Sequence, residues 1–78
     1  MSVEAKGAPM STTDLLEEVE RITDGIAATV RRRRDEALPH EQWTAELQRP
    51  FEGWDVSGIG ATEYEALDHL VRTLRRRA

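Results

Sequence analysis

The chain has 78 residues, a formal net charge of −4 and 33% charged residues, which bounds it to one small domain with a modest core. It contains no cysteine, so neither a disulfide nor a thiolate metal site is available. No apolar run approaches the roughly 18 residues that span a bilayer, and Met1 to Thr13 lack the apolar segment of a signal peptide.

These features fit a cytoplasmic protein with no membrane partner. Ten of the eleven basic residues are arginine, which with the abundant alanine points to a GC-rich bacterial genome. Charge is segregated along the chain. Arg31, Arg32, Arg33 and Arg34 form one basic run, and Arg75, Arg76 and Arg77 form another. Residues 35–68 carry nine acids against Arg49 alone.

Residues 1–13 are small and polar and read as a disordered tail, with Met10 a second candidate start. A single domain over 14–78 follows. Residues 14–37 read as a long helix, because Leu15, Val19, Ile22, Ile26 and Val30 recur at spacings of four, three, four and four. Ser11, Thr12, Thr13 and Asp14 are N-cap candidates, and Asp14 with Glu17 has capping-box spacing. Acids at the start and arginines at the end complement the helix dipole. Gly25 would mark a kink or a close contact, and Pro39 ends the helix.

Residues 42–49 alternate, with Trp43, Ala45 and Leu47 on one side, as in a half-buried strand. Pro50-Phe51-Glu52-Gly53 supplies a turn. Trp54 and Val56 then share a side in a second alternating run to Ile59. Coincident apolar faces predict Leu47 opposite Trp54 and Ala45 opposite Val56 in an antiparallel hairpin.

Thr62 and Glu65 have capping-box spacing at the start of a helix over 63–77. Its stripe is Leu67, Leu70, Val71 and Leu74, and Asp68 precedes Arg72 by the four residues of an exposed ion pair. The expected fold is α+β in the order helix-strand-strand-helix, with both helices on one face of the β-hairpin. Its core would hold Trp43, Trp54, Leu47, Val56, Ile22, Ile26, Leu67, Leu70 and Leu74. A two-stranded sheet is marginal alone and leaves two open edges, which a homodimer or a partner strand would quench.

Catalytic chemistry is not legible. Ser57 sits outside any nucleophile elbow. His40 and His69 are isolated, and Glu65 with His69 reads as a polar pair on a helix face rather than a chelate. No catalytic, metal-binding or cofactor-binding residue is assigned, and no enzyme activity is expected. Gly58-x-Gly60 before a helix suits a phosphate cradle, but Glu63 and Glu65 in the first turn repel anions. A tight strand-to-helix turn is the simpler reading.

Three surfaces remain as partner sites. Phe51 and Glu52 at the hairpin tip offer an aromatic anchor, unless Phe51 folds back on the core. Arg31, Arg32, Arg33, Arg34, Arg75, Arg76 and Arg77 offer phosphate contacts, against a net negative charge and a pI of about 5.1. Glu46, Glu52, Asp55, Glu63, Glu65 and Asp68 offer an acidic face that mimics nucleic acid or captures a basic partner.

The run Gly58-Ile59-Gly60-Ala61-Thr62-Glu63-Tyr64-Glu65-Ala66-Leu67, preceded by the alternating hairpin, resembles the strand-to-helix junction of HicB-type antitoxins over residues 42–76. The resemblance implies a non-catalytic regulator that binds and blocks a small toxin and assembles as a dimer. The same layout is similar to the C-terminal part of double-stranded RNA-binding domains, although Glu63, Tyr64 and Glu65 stand where those domains carry a basic cluster.

Overall fold

The computed structural model describes residues 11–33 and 38–77. Along them run α1 (Thr12–Thr23), β1 (Ala28–Arg32), a 3-10 turn (Pro39–Glu41), β2 (Trp43–Leu47), β3 (Ser57–Gly60) and α2 (Glu63–Arg77). The fold is α+β, and the expected hairpin is present inside an antiparallel sheet of order β1-β2-β3. The tail expected over 1–13 lies outside the described residues as far as Met10. Ser11 caps α1, and Thr12 and Thr13 belong to its first turn.

The helix starts at Ser11 because its hydroxyl accepts the Asp14 amide at 3.1 Å while the Asp14 carboxylate accepts the Ser11 amide at 3.0 Å. This reciprocal pair satisfies two otherwise orphaned donors. Leu15 and Val19 are buried and Leu16 and Ile22 pack against the core, so the first half of the expected stripe is present.

The helix expected over 14–37 stops at Thr23. Asp24 (φ 60°) and Gly25 (φ 110°) are left-handed, and the amides of both donate to the Glu20 carbonyl. Gly25 is therefore a helix terminator and not an interior residue. Thr23, itself buried, stitches the end together: its hydroxyl donates to the Val19 carbonyl at 2.7 Å and accepts the Ile26 amide at 3.1 Å. Val30, the last member of the helical stripe, belongs to β1, as do Arg31 and Arg32. Arg34, with residues 35–37, lies outside the described residues.

β1 pairs with β2 through Ala28↔Leu47, Val30↔Ala45 and Arg32↔Trp43. β2 pairs with β3 through Trp43↔Gly60, Ala45↔Gly58 and Glu46↔Ser57. The expected faces hold, but Ala45 lies opposite Gly58 rather than Val56, a slip of two residues. The cause is a widening between Glu46↔Ser57 and the Phe51↔Trp54 bridge, where residues 47–50 stand against 55–56. Pro50 has no amide to give to a ladder. The turn itself is Glu52-Gly53, both at positive φ (53° and 86°), the requirement of a type I′ hairpin.

Ala45, Val56, Ala66, Leu67, Leu70, Val71 and Leu74 are buried with Leu15 and Val19 in one core. Trp43 and Leu47 pack at its margin. Trp54, expected in the core, is 58% exposed, because it sits at the hairpin tip beyond the ladder.

Gly58 and Gly60 have no positive φ; what they provide is closeness. A Cβ on Gly58 would lie 2.4 Å from the Leu70 amide nitrogen and 2.5 Å from the Ala66 carbonyl. A Cβ on Gly60 would lie 2.5 Å from the Glu65 Cβ. The Gly-x-Gly motif therefore lets α2 lie directly on β3, with Ala66 buried between them.

Candidate interaction surface

The contacts of Gly60 with Glu65 and of Gly58 with Leu70 fix the direction of α2: it runs back along β3. Its C-terminal end therefore reaches the hairpin tip, where the Arg77 guanidinium stacks 4.5 Å from the centre of the Trp54 ring. Phe51 pairs with Trp54 across the turn and is half-buried against the core. Glu52 is an exposed turn residue. The aromatic that faces solvent at the tip is thus Trp54, whereas Phe51 packs against the core. Sequence alternation hid Trp54, because it continued the apolar side of β3.

The arginines do not gather at one place. Arg32 lies opposite Trp43, which lies opposite Gly60, so Arg31, Arg32 and Arg33 sit toward the end of the sheet where α2 begins. Arg75, Arg76 and Arg77 sit at the other end, in the last turn of α2. Several are engaged within the chain. Arg31 meets Glu46 at 3.1 Å, Arg33 meets Glu41 at 3.6 Å, and Arg75 meets Glu18 at 3.0 Å. Arg76 is exposed beside the Trp54–Arg77 stack in sequence, and Arg32 is exposed on β1.

Glu18 is the hub of the helix pair. It receives hydrogen bonds from Arg21 on its own helix and Arg75 on α2. Those bonds, Arg21 foremost, hold its carboxyl below the usual glutamate range. The acids of the proposed mimic surface are partly committed as well. Glu46 binds Arg31, Asp68 binds Arg72 at 3.0 Å in the expected ion pair, and Glu65 accepts the Ala61 amide at 3.0 Å.

That last bond revises the second capping box. Thr62 accepts the Glu65 amide at 3.1 Å as expected, but the Glu65 carboxylate reaches past Thr62 to Ala61. One turn later, the Ile59 amide donates to His69 Nδ1 at 3.0 Å. Glu65 and His69, spaced as a candidate chelate, instead both cover amides on the outer edge of β3.

Among the described residues no group of three His, Cys, Asp or Glu side chains could hold a metal ion, and no helix is long and apolar enough to cross a membrane. An open cleft of about 320 Å³ lies where β2 and β3 splay, lined by Glu46, Leu47, Arg49, Asp55, Val56 and Ser57. It contains no imidazole or thiol.

No family model, no curated protein and no solved structure matches this chain. The assignment of a role therefore rests on the surfaces themselves.

Proposed function

We propose that this chain is a non-catalytic, antitoxin-like regulator that docks on a partner protein through the hairpin tip and the end of α2. The observation that carries the reading is Trp54, 58% exposed and stacked under Arg77. Trp and Arg are the residues that most often dominate protein-binding hot spots. An indole already held flat by a guanidinium loses little freedom on docking, which lowers the cost of association.

The HicB-type resemblance adds to this. It spans residues 42–76, the part of the chain that folds as β2, β3 and the final helix. By that likeness the partner is a small toxin and the setting is the bacterial cytoplasm.

Nucleic-acid binding through the arginines is the second reading. It is weakened by the separation of the two runs to opposite ends, and by the ion pairs that engage Arg31, Arg33 and Arg75. Phosphate contacts give affinity that falls steeply with salt.

The test has two arms. Wild-type and Trp54→Ala proteins are used as bait in the source cell extract, with bound proteins identified by mass spectrometry. A specific protein retained by the wild type and lost by Trp54→Ala is the expected result. Titration with random duplex DNA and RNA at low salt should give no binding. Salt-sensitive binding to duplex, with no Trp54-dependent protein, would replace the docking reading by the second.

A further inference from the structure

The two edges of the sheet are not equivalent. In an antiparallel ladder the residues alternate between bonding the neighbouring strand and facing away from it. On β3 the away-facing positions include Ile59, followed by Ala61, and their amides are taken by His69 and Glu65 of α2. That edge is capped by side chains at Ile59 and Ala61, a form of edge-strand protection.

β1 differs. The Arg33 amide donates to the Gln42 carbonyl at 2.7 Å and the Gln48 amide to the Ala27 carbonyl at 2.9 Å. These bonds fix the phase of the β1–β2 ladder. Ala27, Thr29, Arg31 and Arg33 face β2, so the amides and carbonyls of Ala28, Val30 and Arg32 face outward. Among the described residues β1 pairs with β2 alone.

We propose that β1 is a homodimerisation edge, pairing antiparallel with β1 of a second copy in the register centred on Val30. Three observations select this occupant and register. First, the edge groups alternate so that Val30 of both copies exchanges hydrogen bonds at the two-fold axis, with Ala28 and Arg32 bonding reciprocally on each side. All residues of Ala28–Arg32 are then used.

Second, the charges permit it. Arg31 is already neutralised by Glu46 and Arg33 by Glu41. In the Val30-centred register Arg31 lies opposite the second copy's Thr29, and Arg32 opposite its Ala28. Centring on Arg31 would set two guanidinium side chains directly across from each other, which is unfavourable. Centring on Thr29 leaves the end of the strand unpaired.

Third, one open edge closes at two copies. Two open edges would propagate into a filament, and the Glu65 and His69 caps on β3 prevent that. The product is a continuous six-stranded sheet with β3 of each copy at its rims. The pairing uses none of Trp54, Arg76 or Arg77, so it stands whether or not the hairpin tip docks a partner.

The experiment uses the full chain. Light scattering across micromolar to millimolar concentration should give twice the 8.9 kDa chain mass. Because the chain has no cysteine, Thr29→Cys and Arg31→Cys each introduce a single thiol at an exposed position. In the proposed register these two positions face each other as a non-hydrogen-bonded pair, about 4.5 Å between Cα atoms, within disulfide reach.

Mixing the two variants under mild oxidation should give the linked heterodimer as the main product. Either variant alone should give several-fold less. A monomer mass throughout, an assembly larger than a dimer, or equal cross-linking in the single-variant controls would each overturn the proposal.

Discussion

Replacing Gly58 by alanine adds one methyl group at the tightest contact of the fold. The new Cβ would sit 2.4 Å from the Leu70 nitrogen, 2.5 Å from the Ala66 oxygen and 3.0 Å from the His69 carbonyl carbon. All three are backbone atoms of α2, so no side chain can rotate away. The helix must lift by about 1 Å, a gap that forfeits a quarter to a half of each affected dispersion contact. Overpacking costs about 1–3 kcal/mol in ordinary cores, and the absence of a yielding side chain places this site at the upper end.

Alanine also narrows the unfolded ensemble, which returns roughly 0.4–1 kcal/mol. The net expectation is a loss of about 2 kcal/mol. For a domain of this size each kcal/mol moves Tm by about 4–8 °C, so Gly58→Ala should melt roughly 8–16 °C below the wild type. Circular dichroism at 222 nm during heating measures the shift, and a urea titration with an unchanged slope confirms that only stability has moved. A Tm within about 2 °C of the wild type, well inside the shift expected from one kcal/mol, would mean that α2 does not lie on β3 at Gly58.

Three further substitutions probe separate parts of the structure. Glu18→Gln removes a carboxylate whose folded pKa lies below its ordinary 4.5; its contribution is present above that value and fades as the pH falls through the depressed one. Urea midpoints of wild type and variant should therefore differ at pH 7 and converge in acid, and a constant gap would refute the linkage. Ser11→Ala removes the α1 cap and should cost about 1 kcal/mol, read as a lower urea midpoint with native circular dichroism. Glu52→Asn places the favoured Asn-Gly pair in the type I′ turn and should raise the urea midpoint, because Asn tolerates the left-handed φ of Glu52 better and recovers part of the roughly 1–3 kcal/mol that such a conformation costs a non-glycine residue; a lower midpoint would mean that the turn has another geometry.

Local signals with one physical reading were legible in the sequence. The last helix, its Thr62 cap and the Asp68–Arg72 pair follow from spacing alone. So do the faces of β2 and β3, since a period of two survives the slip of two residues. β1 was masked because Ile22, Ile26 and Val30 satisfy a helical spacing even though Ala28-Thr29-Val30 also alternates. What separates the readings is the positive φ accepted at Asp24 and Gly25, and residue spacing carries no information about that.

The interaction surface was less legible for the same reason. The arginine runs could be placed together only while Arg31 was assigned to a helix end; in β1 it moves to the opposite end of the sheet. Trp54 looked like core until the ladder widened at Pro50. Glu65 and His69 were visible as a pair, but their partners, the amides of Ala61 and Ile59, are set by how α2 lies on the sheet edge.

The flush seating of α2 on β3 also bears on the order in which the molecule assembles. Gly58 meets Ala66 and Leu70 across a short stretch of chain, so little closure entropy opposes that union. Glu18 and Arg75 are separated by most of the sequence and can meet only once the intervening strands are in place. Sequence separation therefore favours the carboxyl-terminal third as the seed of the fold, with the amino-terminal helix as a clasp fastened later.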